Sequence, residues 1–313
     1  MPGEIVRGVV MRMIALLVLL GMRLGAQSVP ATLAGSGYRT PPNAIEAAPG
    51  QVMIVSLHGI QARLTAPVEG VHSPGTGLAT TVAGISAQLV QASGRTPVSI
   101  YGVSQTPCAP MAAPCSPVTN VTLVVPFQLT ATAVNSYAGL EFKEGTNVIT
   151  TIPVRAVPDR AHIVNSCDES LVYYSVFGGE NLTGCNPAVV RPQGGLITPY
   201  RAVRAGEPLV AFAHGLGDAN PSPAGGGAFV PGLTKQPFVL RYAVAGGAVY
   251  WAQAPDGVSL TTAWGVYQVH FTVPPLPDNA PLPACGERGL YGNVTVTISG
   301  IHSSDKFELC VTP

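Results

Sequence analysis

Charge is scarce in this sequence. Of 313 residues only 10% are Asp, Glu, Lys or Arg, and the two signs balance at 16 each. So neutral a chain has no electrostatic footprint for nucleic acid or for an anionic membrane surface. Long helical periodicity is missing too, since 36 glycines and 30 prolines interrupt the chain at short intervals. No two cysteines have C-x-x-C spacing and no histidine sits at ligand spacing from a cysteine, so a structural zinc site is not expected. No G-x-S-x-G elbow is present, and nucleophilic catalysis of that type is not expected. The acids are scattered. The adjacent pair Asp168-Glu169 reads as part of a solvated loop, not as one half of a glycosidase carboxylate pair. Asp218 and Asp256 lie in loops without a D-x-D-x-D-G-like run, which leaves calcium short of its usual ligands.

What is present is hydrophobic and β-branched. Hydrophobic residues make up 47% of the chain, enough to exclude disorder. Many short alternating runs between Gly/Pro turns predict an all-β fold. Near the N-terminus Arg12 precedes the apolar run Met13 to Met22, followed by Leu24-Gly25-Ala26. This is the pattern of a signal peptide, residues 1–26, with cleavage after Ala26; the run is short for a permanent span. An uncleaved N-terminal anchor is the alternative, and Met11 is a second possible start. No other run is long and apolar enough to cross a bilayer, so the processed chain is expected to be secreted or on the cell surface, with no stable membrane insertion. Six cysteines fit that compartment: Cys108, Cys115, Cys167, Cys185, Cys285 and Cys310. Fifteen pairings are open, and pairing neighbours closes the shortest loops.

The chain repeats itself. Pro49 to Ile60 (PGQVMIVSLHGI) matches Ala205 to Leu216 (AGEPLVAFAHGL). Val82-Ala83-Gly84 aligns with Val244-Ala245-Gly246. The strands ending at Pro126 (VTNVTLVVP) and Pro274 (GVYQVHFTVP) follow, and Gly145 to Val154 aligns with Tyr291 to Gly300. This order predicts an internal duplication. Some seven short strands per copy predict two tandem immunoglobulin-like β-sandwich domains, residues 48–158 and 204–313. A lead-in covers 27–47. A segment at 159–203, stapled by Cys167–Cys185, is expected to form a bridging hairpin. In GVYQVHFTVP, Tyr267, Val269 and Phe271 share one face, and Gln268, His270 and Thr272 the other.

The run PGQVMIVSLHGI … TTVAGISAQLV … VTLVVPFQL … NVITTIPV … RAGEPLVAFAHGLGDANPSPAG … GVYQVHFTVP … VTVTISG resembles the Solibacter-type C-terminal module of acidobacterial exported proteins, over about residues 45–313. That resemblance implies two fused IPT/TIG-like repeats outside the cell and no established chemistry. The cysteines, the two His-Gly pairs and the missing large N-terminal partner depart from it.

Candidate ligand-binding residues are few. His58 and His214 occupy equivalent places before glycine, where a histidine bonded to a loop carbonyl is the plain alternative to a functional pair. Tyr250, Trp251 and Trp264 cluster in the second copy and include both tryptophans of the chain. Tyr250 and Trp251 are neighbours, so one is expected to face outward. The resemblance implies a bacterial source, and in that case the sequons at Asn120, Asn181 and Asn293 are chance. The expected function is a non-catalytic adhesive, structural or protein-interaction module. The alternative is a carbohydrate-binding module using the aromatic face. The partner is expected to be an extracellular protein or glycan, with no cofactor, no metal and no enzyme activity.

Overall fold

Val, Ile and Thr at alternate positions favour a pleated, half-buried surface, and the chain follows that preference throughout. The computed structural model describes residues 32–36, 44–70, 77–106, 117–130, 137–168, 185–223, 232–244, 247–261, 265–277, 282–285 and 292–312. Among the described residues there are strands, turns and loops but no helix, and so no helix long and apolar enough to cross a membrane. The protein is all-β and consists of immunoglobulin-like sandwiches.

The first half contributes β1 (Thr32–Ser36), β2 (Ile45–Ala47), β3 (Val52–His58), β4 (Val68–Glu69), β5 (Thr81–Val82) and β6 (Ile85–Gln91). It continues with β7 (Gly94–Pro97), β8 (Ser99–Thr106), β9 (Val118–Val124), β10 (Tyr137–Glu144) and β11 (Asn147–Ala156). The bridging segment and second half supply β12 (His162–Ile163), β13 (Val189–Val190), β14 (Val203–Arg204), β15 (Pro208–His214), β16 (Ala219–Asn220) and β17 (Gly232–Thr234). Then come β18 (Val239–Val244), β19 (Val249–Gln253), β20 (Gly257–Leu260), β21 (Tyr267–Thr272), β22 (Val294–Ser299), β23 (Ser304–Leu309) and β24 (Val311–Thr312).

In the first half, a sheet of order β1-β3-β9-β8-β4 faces one of order β2-β11-β10-β6-β5, with β7 also on β6. The second half repeats the plan. Its sheet β12-β15-β21-β20-β17-β16, with β13 also on β15, accompanies β19-β18-β22-β23 and the pair β14-β24. Even the parallel pairings recur, β2 with β11 and β14 with β24. Taken in chain order, β3 corresponds to β15, β6 to β18, β9 to β21, β10 to β22 and β11 to β23 with β24.

This correspondence corrects two of the four sequence matches. Val82-Ala83-Gly84 leads into β6, whereas Val244 is the last residue of β18, so the matched valines stand at opposite ends of equivalent strands; Ala245 and Gly246 lie outside the described residues. The stretch Gly145 to Val154 holds β11, an edge-side strand, whereas Tyr291 to Gly300 holds β22, a central one. Runs of Val, Ile and Thr carry strand propensity without identifying the strand, and the alignment slid by one hairpin arm. Ile45–Ala47, expected in the lead-in, pairs with β11 and belongs to the first sandwich.

The matches that hold share one local mechanism. At the entry of β3, Gln51 Oε1 accepts from Ala48 N at 3.0 Å; at the entry of β15, Glu207 Oε2 accepts from Arg204 N at 3.0 Å. Gly50 N donates to Val125 O and Gly206 N to Val273 O. In return Val125 N donates to Gln51 O and Val273 N to Glu207 O. Each turn thus consumes the last amide available on its neighbour strand. The next residue, Pro126 or Pro274, has no N–H to offer, and the ladder ends there.

Each half has its own core. Met53, Val55, Leu57, Ile85, Leu89, Ile100, Leu123 and Phe142 are central to the first. Leu209, Ala211, Leu240, Tyr242, Tyr267, Val269, Phe271 and Phe307 are central to the second. On β21 the faces alternate as the sequence predicts, Tyr267, Val269 and Phe271 being buried and Gln268, His270 and Thr272 half-buried. The equivalent β9 is buried on both faces at its end, because Val124 joins Val52, Leu78 and Val266 in a small cluster spanning the two halves. Phe127, just past the proline, belongs to the core of the second half. Gly50 makes room for it: at φ +70° a Cβ there would collide with the Phe127 ring and the Tyr267 hydroxyl. The described strands all fall within one compact unit, Ala31–Pro313.

Candidate functional site

The two aligned histidines end their strands in different sheets, His58 on β3 and His214 on β15. His58 is half-buried, with Thr32 of β1 as its cross-strand partner. His214 is 1% exposed, and its Nδ1 lies 3.0 Å from the Gly265 carbonyl. Nδ1 therefore carries the proton in the neutral ring, leaving Nε2 as an acceptor. That nitrogen is buried, with no hydrogen-bond partner among the described residues. Burial pushes the His214 pKa down to about 4, aided by the nearby His162 charge and opposed by the Gly265 bond and Asp168.

Facing His214 across the strands is a residue that sequence reasoning missed. His162 of β12 is its register partner. The His162 Nε2 lies 3.1 and 3.0 Å from the two carboxylate oxygens of Asp168, and Nδ1 lies 3.3 Å from Asp305 Oδ2. Burial works against its charge, but the hydrogen bonds and charges of Asp168 and Asp305 prevail and raise the pKa to about 9. At neutral pH the ring is an imidazolium that donates from both nitrogens, so it has no lone pair with which to act as a base. Asp168, expected in a solvated loop, is instead half-buried against this ring, because the Cys167–Cys185 disulfide closes the hairpin neck beside it. The base of the expected hairpin is paired: Ala188 N donates to Val164 O and Ser166 N to Asn186 O. Its apolar run Leu171 to Phe177 lies outside the described residues.

A second carboxylate secures the same segment. Asp159 is fully buried and accepts from the amides of Ile301, His302 and Ser303 at 2.8–2.9 Å, and from the Ser303 hydroxyl at 2.7 Å. Glu46 of β2 bonds Arg155, Arg160 and His302, tying the first half to the bridge and to the turn before β23. A single short strand, a lone Asp and a histidine more than a hundred residues from Asp305 offered no local signal for this arrangement.

Tyr250 and Trp251 lie on β19, at the edge of the sheet β19-β18-β22-β23. A bulge in the β18–β19 pairing leaves Tyr250 without a register partner. Tyr250 packs on the second core with its hydroxyl buried and unpartnered among the described residues; burial raises its pKa. Trp251 is 43% exposed, and its Nε1 donates to Gln253 Oε1 at 2.9 Å. Gln253 Nε2 in turn donates to the Tyr242 hydroxyl and the Thr272 carbonyl. Trp264 lies outside the described residues, so only two of the three aromatics are placed.

The remaining candidates have structural partners. Asp218 pairs with Lys235 at 2.5 Å and caps Ala219 N, while Asp256 accepts from Thr272 Oγ1. Among the described residues no group of three or more His, Cys, Asp or Glu is arranged to hold a metal ion. Asn293 is buried, donating to Pro283 O and Val311 O, and Asn120 bonds Ser56 and Thr106. The disulfides Cys167–Cys185 and Cys285–Cys310 are both formed, each between sequence neighbours. Cys108, Cys115 and Asn181 lie outside the described residues.

No protein-family profile matches the chain, and no curated protein matches it. Among solved structures, bovine butyrophilin is similar at 10% identity and a TM-score of 0.21, over 87% of this chain and 97% of that one. The C-terminal domain of the AgI/II polypeptide BspA from Streptococcus agalactiae is similar at 8% identity and a TM-score of 0.18, over 90% and 99% of the two chains. Neither likeness bears on function.

Proposed function

We propose that this chain is an exported, non-catalytic protein-interaction module, of the two-fused-repeat Solibacter type, that holds an extended segment of an extracellular partner along β19. One observation carries the reading. Edge strands are normally guarded by charge, proline or shortness. Here β7 carries Arg95 and Pro97, β23 carries Asp305, Lys306 and Glu308, and β4, β5 and β16 have two residues each. β19 has five residues, no charge and no proline, and exposes Val249 (55%) and Trp251 (43%). β1 is equally neutral in sequence but carries no aromatic. Strand addition at such an edge draws affinity from main-chain hydrogen bonds and selectivity from alternate side chains. Export is supported by the N-terminal segment and the two disulfides. A non-catalytic role fits histidines already committed to carboxylates and to a carbonyl.

The test is retention of an extended-peptide library by the immobilised chain and by Val249→Lys and Trp251→Lys variants. Retention lost in both variants at unchanged melting temperature supports the reading; retention unaffected by either overturns it. The second reading is a carbohydrate-binding face. It rests on Trp251, half-exposed beside the amide of Gln253. Polysaccharide retention that disappears in Trp251→Ala favours it over peptide capture.

A further inference from the structure

The bridging hairpin meets β15 through two histidines whose surroundings are opposite. His162 lies between the carboxylates of Asp168 and Asp305. The same carboxylates hold the hairpin backbone: Asp168 Oδ2 accepts from Asn165 N at 2.8 Å, and Asp305 Oδ2 from Ile163 N at 2.7 Å. His214, directly across the ladder, has only a carbonyl at Nδ1 and a buried, unpartnered Nε2. Just beyond are Lys306 on β23, and Arg160 with its partner Glu46, which also meets His302. Asp159 remains engaged with the turn at 301–303.

Acid acts on every part of this arrangement in the same direction. Protonating Asp305 weakens an acceptor of the Ile163 amide and removes a counter-charge from His162. Protonating His214 places a second imidazolium opposite the first, and like charges directly opposite on a ladder repel. The pairing at stake is short: the two register pairs of β12 with β15, flanked by Arg160 N to Gly215 O at 2.6 Å and Val164 N to Phe212 O at 3.0 Å. The hairpin neck remains closed by Cys167–Cys185, and β13 keeps its own pairing with Ala211 and Val210.

We propose that β12 is an acid-released latch: proton uptake at Asp305 and His214 parts it from β15 while the sandwiches stay folded, reversibly uncovering the strand edge at Ala213–His214. The device stands apart from the β19 edge and survives if that reading fails.

Hydrogen exchange of the full chain, disulfides intact, tests it at pH 7 and about pH 3, with rates corrected for intrinsic pH dependence. Amides at 160–164 are expected to lose roughly tenfold or more in protection at the lower pH while those of β3 keep theirs. Asp305→Asn should open the same segment at pH 7, and His214→Gln should retain more protection than the parent in acid. Equal protection at both pH values, or a loss shared in step with β3, overturns the latch. An undiminished acid loss in His214→Gln removes the histidine from it.

Discussion

The two halves share strand order, entry turn and terminal proline, yet the strand edge at β3 and the one at β15 are covered differently. Over β3 lies β1, a continuous strand from the lead-in. Over β15 lie β12 and β13, two successive segments on one edge with a disulfide-closed hairpin looping out between them, secured by Asp159, Asp168 and Asp305. Equivalent residues accordingly differ in chemistry. His58 ends its strand half-buried, while His214 is sealed in and held neutral. A duplicated position inherits its backbone from the repeat but its electrostatics from whatever packs on it.

The largest test of the comparison is whether the halves are separable at all. Phe127→Ala withdraws a ring of the first half from the core of the second and should cost about 3–5 kcal/mol. Calorimetry should then resolve two transitions in place of one. A single transition at unchanged temperature would mean that the halves are coupled elsewhere.

Next comes pH. His162, with its pKa raised to about 9 from 6.5, contributes stability that is complete below about pH 6.5 and is lost as pH rises through 9. His214, lowered to about 4, works the other way: its neutral folded form is favoured, so stability falls as pH drops from about 6.5 toward 4, where the loss levels off. Stability should therefore peak near pH 6.5 and decline by up to about 3 kcal/mol on either side from these two groups. Denaturant midpoints across pH would measure it. His162→Gln should flatten the alkaline limb, and no histidine of the first half should substitute for it.

Asp159→Asn should cost about 2 kcal/mol by weakening a fully buried acceptor of three amides and a hydroxyl. Urea midpoints would show it, along with lost protection of amides 301–303. The smallest effect compares the paired turns themselves. Gln51→Ala and Glu207→Ala each remove one turn acceptor and should cost about 1 kcal/mol apiece. The second should cost somewhat more, because Glu207 also bonds Arg191. Equal costs would mean that the Arg191 pair contributes nothing.

Much of the fold was legible in the order of residues. Alternation in Tyr267 to Thr272 foretold which face is buried, and the Pro-Gly and Ala-Gly turns before β3 and β15 located their entries. Cysteine spacing pointed to the two disulfides that are described. The candidate site was less legible. Tyr250 and Trp251 were identified as one inward and one outward ring, but the bulge that sets them was not. His162 passed unnoticed and Asp305 was read only as part of a turn at 302–305, since neither stands in a motif and 142 residues separate Ile163 from the Asp305 carboxylate that binds it. The last repeat match slipped by a hairpin arm, because β-branched runs repeat at every strand of such a sheet.

By itself, then, the sequence determined the local terms: strand propensity and alternation, turns demanding glycine, prolines that end a ladder, and cysteines close enough to pair. These depend on neighbours a few residues away. Only the tertiary structure decided that Phe127 fills the other half's core, that Glu46 reaches Arg160 and His302, and that one histidine is held charged while the one facing it is held neutral. Those outcomes depend on burial and on charges brought together across the chain, and burial and through-space distance exist only once the sheets have packed.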